Sequence, residues 1–137
     1  MYPNTIYRVS IKAYITDEQG RVFVVRENDK SGESWWCLTG GGLDHGETPE
    51  EGLKREIREE LGIEDVTVGE IAYTKSFYLD RIDSWLIWIV YHAKINSSEF
   101  VFDDSVTDAK FLDMKELASS EDIFEKAIVE IDAALRQ

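Results

Sequence analysis

The sequence predicts an α/β fold in which a mixed β-sheet lies between helices. Three observations carry this expectation. Runs of β-branched and aromatic residues recur along the chain between turn residues, a glycine-rich loop leads into one strongly patterned helix, and a second amphipathic helix lies near residues 119–137. A length of 137 residues suits one domain over residues 1–137, and 43% hydrophobic content with 12% aromatics supplies its core.

Tyr7 to Thr16 (YRVSIKAYIT) reads as the first strand. Asp17-Glu18-Gln19-Gly20 is a turn signal, and Arg21 to Arg26 (RVFVVR) returns as the second arm of a hairpin. Asn28 to Ser34 is polar and turn-rich, a loop that either overhangs a ligand or simply connects strands. Trp35-Trp36-Cys37-Leu38 is short and apolar. Neighbouring strand residues point to opposite faces, so one tryptophan belongs to the core and the other is left to line a pocket. Cys37, the single cysteine, reads as core; it has no internal disulfide partner, which fits a reducing compartment.

The next element is a helix from Pro49 to Leu61. Thr48 is its N-cap, Pro49 suits the first helical position, Glu51 completes a capping box and Gly62 supplies the stop. Leu53, Ile57 and Leu61 recur every four residues and form its buried stripe. Val66 to Leu79 is extended, with an interruption expected near Gly69, and Ile82 to Ile95 is a nearly continuous apolar run, hence a central strand covered on both faces. Along it Asp83, Trp85, Ile87, Ile89 and Tyr91 share one face; Leu86, Trp88, Val90 and His92 share the other. The aromatics there read as core and His92 as structural. Asn96 to Thr107 is polar around an apolar island, Phe100 to Phe102, before a last strand at Asp108 to Asp113 and a turn at Met114 to Leu117. The final helix takes Ser119 or Ser120 as its cap and carries Arg136 near its end. Ile123, Ala127, Ile131 and Ala134, joined by Phe124, Ile128 and Leu135, form its apolar stripe.

The chemistry concentrates between Gly40 and Ile63 (GGGLDHGETPEEGLKREIREELGI). At 3.6 residues per turn, Glu56, Glu59 and Glu60 fall on an arc roughly 100° wide beside the buried stripe. Like charges so placed repel, and a hard divalent cation would offset that repulsion. The plain alternative is a solvated acidic face, which leaves the three glycines, Glu47 and Arg55 unexplained. Gly41, then Glu47, then Arg55-Glu56-Ile57, Glu59-Glu60 and Gly62-Ile63, at these spacings, resemble the Nudix box at every defining position over residues 41–63.

The resemblance, to Nudix hydrolases of MutT-like type, implies an α/β/α sandwich and cleavage of nucleoside diphosphates linked to another moiety. It implies Mg²⁺ or Mn²⁺ as cofactor, with Glu59 and Glu60 as main ligands, Glu56 ligating or orienting water, and Gly41 or its neighbour Gly40 lending a carbonyl. Arg55 would hold the carboxylates, and Glu47 would brace the loop. An acidic residue beyond the box would serve as general base, with Asp108 first in place, Asp104 the alternative, and a box glutamate a third. Thr39 stands where many members carry proline, and His45 is placed for a phosphate contact. Oxidised nucleoside triphosphates such as 8-oxo-dGTP and ADP-ribose or nucleotide sugars both suit the chain. A non-catalytic nucleotide-binding or regulatory module of the same fold, and a simple acidic metal buffer, are the competing classes.

Net charge is −13, from 15 basic and 28 acidic residues, which opposes bulk nucleic-acid binding. It leaves room for a small nucleotide, because metal ions neutralise carboxylates and phosphates together. The N-terminus lacks the basic start and apolar run of a signal peptide, and no stretch reaches membrane-spanning length, so a cytoplasmic protein without membrane partners is expected. A homodimer is expected from base rates alone.

Overall fold

The computed structural model describes residues 6–136. Residues 1–5, part of the N-terminus that lacks a signal-peptide pattern, lie outside the described residues. Seven strands and two helices follow in order: β1 (Tyr7–Tyr14), β2 (Val22–Asn28), β3 (Ser34–Cys37), β4 (Gly40–Gly42), α1 (Pro49–Leu61), β5 (Val66–Leu79), β6 (Ser84–Ile95), β7 (Val106–Leu112) and α2 (Ile123–Leu135). A four-stranded sheet runs β4-β1-β6-β5 and a three-stranded sheet runs β3-β2-β7. The first is mixed, because β1 and β6 are parallel while its other pairs are antiparallel. The second is wholly antiparallel.

Two apolar clusters explain the layering. On one side α2 contributes Phe124, Ala127, Ile128 and Ile131 to a cluster with Val22, Val24, Leu86 and Trp88. On the other, α1 contributes Leu53, Ile57 and Leu61 to a cluster with Ile11, Phe23, Val25 and Val106. Alternate residues of β2 thus enter opposite clusters, as the two-residue period of a strand requires. Both helices bury an apolar stripe against sheet, and the result is an α/β/α sandwich.

Several local expectations need correction. The hairpin from Tyr7 to Arg26 is a corner: β1 and β2 enter different sheets, joined at their near ends by the Thr16–Val22 bridge and a Phe23 N–H to Ile15 carbonyl bond of 2.8 Å. Both strands bury residues on their two faces, and each finds partners from later in the chain. The strand at Ile82 to Ile95 starts at Ser84, since Asp80–Ile82 forms a 3-10 turn closed by Asp83 in the left-handed region. It is central, between β1 and β5, but Trp85 is 46% exposed, with Tyr7 tilted against it and Tyr78 meeting it edge-on. β5 is irregular around Gly69, where its register against β6 shifts. The last strand begins at Val106, so Asp108 lies inside it.

The cap of α2 is Asp122, which accepts from the amides of Phe124 and Glu125, while Ser120 accepts from Asp122 and donates to Glu125. Asp122 is two residues nearer the helix, so its carboxylate reaches the unpaired amides directly. Ala134 is exposed. Asp132 is buried in the last turn instead, accepting from Tyr14 Oη at 2.6 Å and ion-paired to Arg136. Burial, and then that bond, push the Tyr14 phenol well above its ordinary value. Trp35 is the core tryptophan, packed on Phe124, and Trp36 is half-buried between Arg26 and Lys110. Among the described residues no helix is long and apolar enough to cross a membrane.

Candidate active site

The glycine segment is shaped by its approach to β1. Gly40 adopts φ +129°, and a Cβ on it would lie 2.0 Å from the Ile11 carbonyl oxygen. Only glycine fits there. Gly40→Ala is therefore expected to destabilise by about 3 kcal/mol or more, read by thermal or urea unfolding, because the clash is with backbone that cannot yield. The Thr39 carbonyl accepts from Ala13 N, and Leu43 N donates to the Val9 carbonyl, each at 3.0 Å. On the period of a strand, Gly41 turns its polar groups toward β1 and Gly40 turns its own away. The carbonyl free of the β1 ladder is that of Gly40, not that of Gly41.

α1 occupies the residues expected of it. Thr48 accepts from Glu51 N at 3.2 Å, and Gly62, at φ +69°, closes the last turn onto Arg58. The three acids of its edge are not equivalent. Glu59 stands at the rim with 53% of its side chain exposed, Glu56 is half-buried, and Glu60 is buried with 6% exposure. Glu60 Oε1 accepts from Gly40 N at 2.9 Å and from Thr39 Oγ1 at 3.1 Å. Burial pushes the Glu60 carboxyl up to about 8; Glu27 adds to that while Lys12 and the two hydrogen bonds oppose it. Burial likewise raises Glu56.

Arg55 organises the mouth of the site. Its guanidinium grips Glu47 bidentately, Nη2 to Oε1 at 2.7 Å and Nε to Oε2 at 3.0 Å, and Nη2 also donates to the Gly42 carbonyl at 3.0 Å. Nη1 donates to Glu56 at 2.9 Å and to Glu59 at 3.2 Å. Glu47 in turn accepts from Asp44 N at 2.8 Å. The hydrogen bonds from Arg55, then that from Asp44, lower the Glu47 carboxyl to about 2.

A Cβ on Gly41 would lie 2.6 Å from Glu56 Oε2, so this glycine makes the hollow in which the Glu56 carboxylate rests. Gly41→Ala is expected to keep the fold, shift Glu56 and weaken Mn²⁺ binding at least severalfold by titration calorimetry, since the clash is with a side-chain end. Gly52 is a further participant that the sequence reading passed over. A Cβ there would meet Ile11 and, at 2.7 Å, Glu47 Oε1, so its absence lets Glu47 lie across the helix. The available signal was a glycine inside a helix, which costs about 1 kcal/mol relative to alanine and asks for a reason.

Thr39, Lys12 and Glu27 were also missed as members of the site. Thr39 binds Glu60, and buried Lys12 lies behind the glycines with Glu27 at 3.9 Å. Their signal was charge inside apolar strands for Lys12 and Glu27, and a polar residue between Leu38 and the glycines for Thr39. Asp108 is exposed on β7 opposite Arg26 and accepts from its neighbour Ala109. Asp104 is exposed in a turn whose Val101 and Asp103 amides donate to the carbonyls of Leu61 and Glu60. His45 is exposed and lines a cleft of about 640 Å³ with Tyr7, Arg8, Leu43 and Ile82, bordering the Gly42–Glu47 loop.

Among the described residues no three His, Cys, Asp or Glu side chains already form a metal-ligating array. Arg55 draws Glu56 and Glu59 to its own charge, and Glu60 turns one oxygen to Gly40. The donor set nevertheless fits a hard cation in kind: Glu56 and Glu59 converge on Arg55 Nη1, Glu60 lies a turn from Glu56, and the Gly40 carbonyl, held by Lys12 at 3.3 Å, lies on the strand that binds Glu60.

An RNA pyrophosphohydrolase of Pseudoalteromonas translucida is 33% identical over 81 residues, 59% of this chain and 45% of that one. The chain spans about half the length, or less, of the curated relatives it matches. The MutT protein of Methanosarcina mazei superposes with a TM-score of 0.80 over 99% of both chains at 22% identity. The NUDIX domain of Shewanella oneidensis NrtR, complexed with ADP ribose, superposes with a TM-score of 0.71 over 100% of this chain and 94% of that one at 16% identity. These two likenesses speak for the fold. Residues 6–131 match the family described as the NUDIX domain, and the chain belongs to that family.

Proposed function

We propose that this chain, as a single NUDIX domain, is a divalent-metal-dependent hydrolase. It cleaves a phosphoanhydride in a small nucleotide, a nucleoside diphosphate linked to another moiety. The observation that carries the reading is the Arg55 cluster: one guanidinium orders Glu47, Glu56 and Glu59 around the glycine strand, with Glu60 beneath. Packing alone gives no reason to collect four carboxylates there. Glu56, Glu59 and Glu60 would hold Mg²⁺ or Mn²⁺ together with the Gly40 carbonyl. The bound ion supplies Lewis acidity toward a phosphoryl oxygen and acidifies water.

The protein's own groups do the rest. Glu47 and Arg55 keep the loop and carboxylates in register, and the cleft beside the loop receives the moiety linked to the phosphates, with Arg8 as its positive group and His45 as a hydrogen-bonding one. Glu56 is the proposed proton acceptor, half-buried against Gly41 and oriented by Arg55, with exposed Asp108 on β7 the alternative.

The test is nucleotide release from a panel with Mg²⁺ or Mn²⁺ and after chelation by EDTA. The panel holds 8-oxo-dGTP, ordinary dNTPs, ADP-ribose, nucleotide sugars, NADH, dinucleoside polyphosphates and a 5′-triphosphorylated oligoribonucleotide. The last is the form in which RNA carries a phosphoanhydride, and the net charge of −13 argues against it. Turnover of one member well above the rest, abolished by EDTA, is expected. Tight nucleotide or metal binding without turnover of any member would instead establish a non-catalytic binding or regulatory module. A cytoplasmic, homodimeric protein completes the proposal, with the dimer checked by light scattering.

A further inference from the structure

Among the described residues, Lys12 is the only buried basic side chain, 6% exposed on β1 between Ile11 and Ala13. Its Nζ lies 3.3 Å from the carbonyl oxygens of both Leu38 and Gly40. Glu27 Oε1 is 3.9 Å away, and the Trp88 ring centroid is 5.4 Å away. Glu27 is itself pinned by Trp35 Nε1 at 3.3 Å.

The same three residues, Leu38 to Gly40, are held from another direction by Glu60, which takes the Gly40 amide and the Thr39 hydroxyl. The strand entering the glycine loop is therefore clamped: an ammonium gathers its carbonyls and a carboxyl gathers its donors. An apolar side chain would fill the position of Lys12 without the cost of removing a charge from water. What the lysine adds is a fixed geometry for the one backbone stretch that both supports Glu60 and presents the Gly40 carbonyl.

We propose that Lys12, with Glu27 as its counter-ion, is a positioning residue. It sets the orientation of the Gly40 peptide and through it that of Glu60, without touching substrate. This rests on the hydrolase reading above for its catalytic consequence, while the clamp itself is measurable in metal-free protein.

The experiment compares wild type with Lys12→Met, a side chain of similar length without charge. Amide hydrogen exchange is followed in the metal-free protein, and kcat and KM are measured in the metal-loaded one. The Gly40 amide, bonded to Glu60, should exchange about 100-fold faster in the variant, while the Phe23 amide at the β1–β2 corner keeps its protection. Turnover should fall about 100-fold with KM within about threefold, the signature of a misplaced group rather than a lost substrate contact.

Unchanged Gly40 exchange and unchanged kcat, even with a lowered Tm, would make Lys12 merely structural and overturn the proposal. A raised KM at preserved kcat would make it a substrate contact and overturn it equally. Should Lys12→Met fail to fold, Glu27→Gln decides: the same pattern at about tenfold is expected, and no change in either readout refutes the clamp. A wild-type protein inert toward every nucleotide would remove the hydrolase reading, yet the Gly40 exchange would still test the clamp.

Discussion

Glu60→Gln is expected to lower kcat by about 10³-fold, the scale of losing one group that stabilises transition-state charge, while the protein stays folded. The amide keeps an oxygen in place of the carboxylate Oε1 that accepts from Gly40 and Thr39, so both bonds survive the substitution. What disappears is the negative charge available to a cation. Metal titration and single-turnover kinetics on the best substrate check this; full activity in Glu60→Gln would remove the mechanism.

The same variant makes a stability prediction. The folded Glu60 carboxyl titrates near 8 and the unfolded one near 4.5, so between those values the folded state binds more protons. Stability from this group is fully present below the unfolded value and declines as pH rises through the folded one. Tm of the metal-free wild type should therefore fall from about pH 5 to 8, and Glu60→Gln should flatten that slope. An identical slope in both proteins would show that Glu60 is not the group responsible.

Arg55→Ala is the second large effect. Truncation removes five hydrogen bonds, to Glu47 twice, to Glu56, to Glu59 and to the Gly42 carbonyl, without removing a proposed metal ligand. Left without their shared cation, the three carboxylates repel one another and the 42–47 loop loses its tether to α1. Turnover should fall by about 10²-fold through misplacement of the remaining groups. Metal binding should weaken less than in Glu60→Gln, because the carboxylates persist.

In wild type, Glu47 is depressed from 4.5 to about 2, so stability linked to it is present above 4.5 and lost as pH falls toward 2. Arg55→Ala should weaken that acid-limb dependence in a pH series of unfolding midpoints, leaving the part that comes from the Asp44 amide, with Tm lowered by several degrees even at neutrality. Retention of wild-type turnover would show that the carboxylates order themselves without the guanidinium.

Some of this was legible in the chain because it is encoded locally. The span of α1 follows from Thr48, Pro49 and Gly62, whose capping chemistry acts within one turn, and its buried stripe follows from helical period. Spacing along residues 41–63 made the family resemblance readable, and the family match extends over residues 6–131. Strand character was similarly visible, since β-branched and aromatic runs favour extended chain wherever they go.

Which strands pair was not visible. The short Asp17–Gly20 turn reads as a hairpin, yet β1 finds β4 and β6, and β2 finds β3 and β7, because both strands offer two apolar faces and only long-range packing chooses between partners. The Asp122 cap was missed because two serines offered themselves in sequence, and geometry favours the carboxylate two residues closer to the helix than Ser120. Above all, three glutamates on one helix edge look alike in a helical projection. Their burial differs because a neighbouring strand covers one of them: Gly40, forced against Ile11, brings its amide to Glu60, while Glu59 keeps solvent and Glu56 rests against Gly41. That these acids share one face of one helix follows from helical period, which is local. How each is solvated and held depends on side-chain contacts a projection does not show: Arg55 reaching across α1 to Glu47, and Lys12 and the glycine strand arriving from elsewhere in the fold.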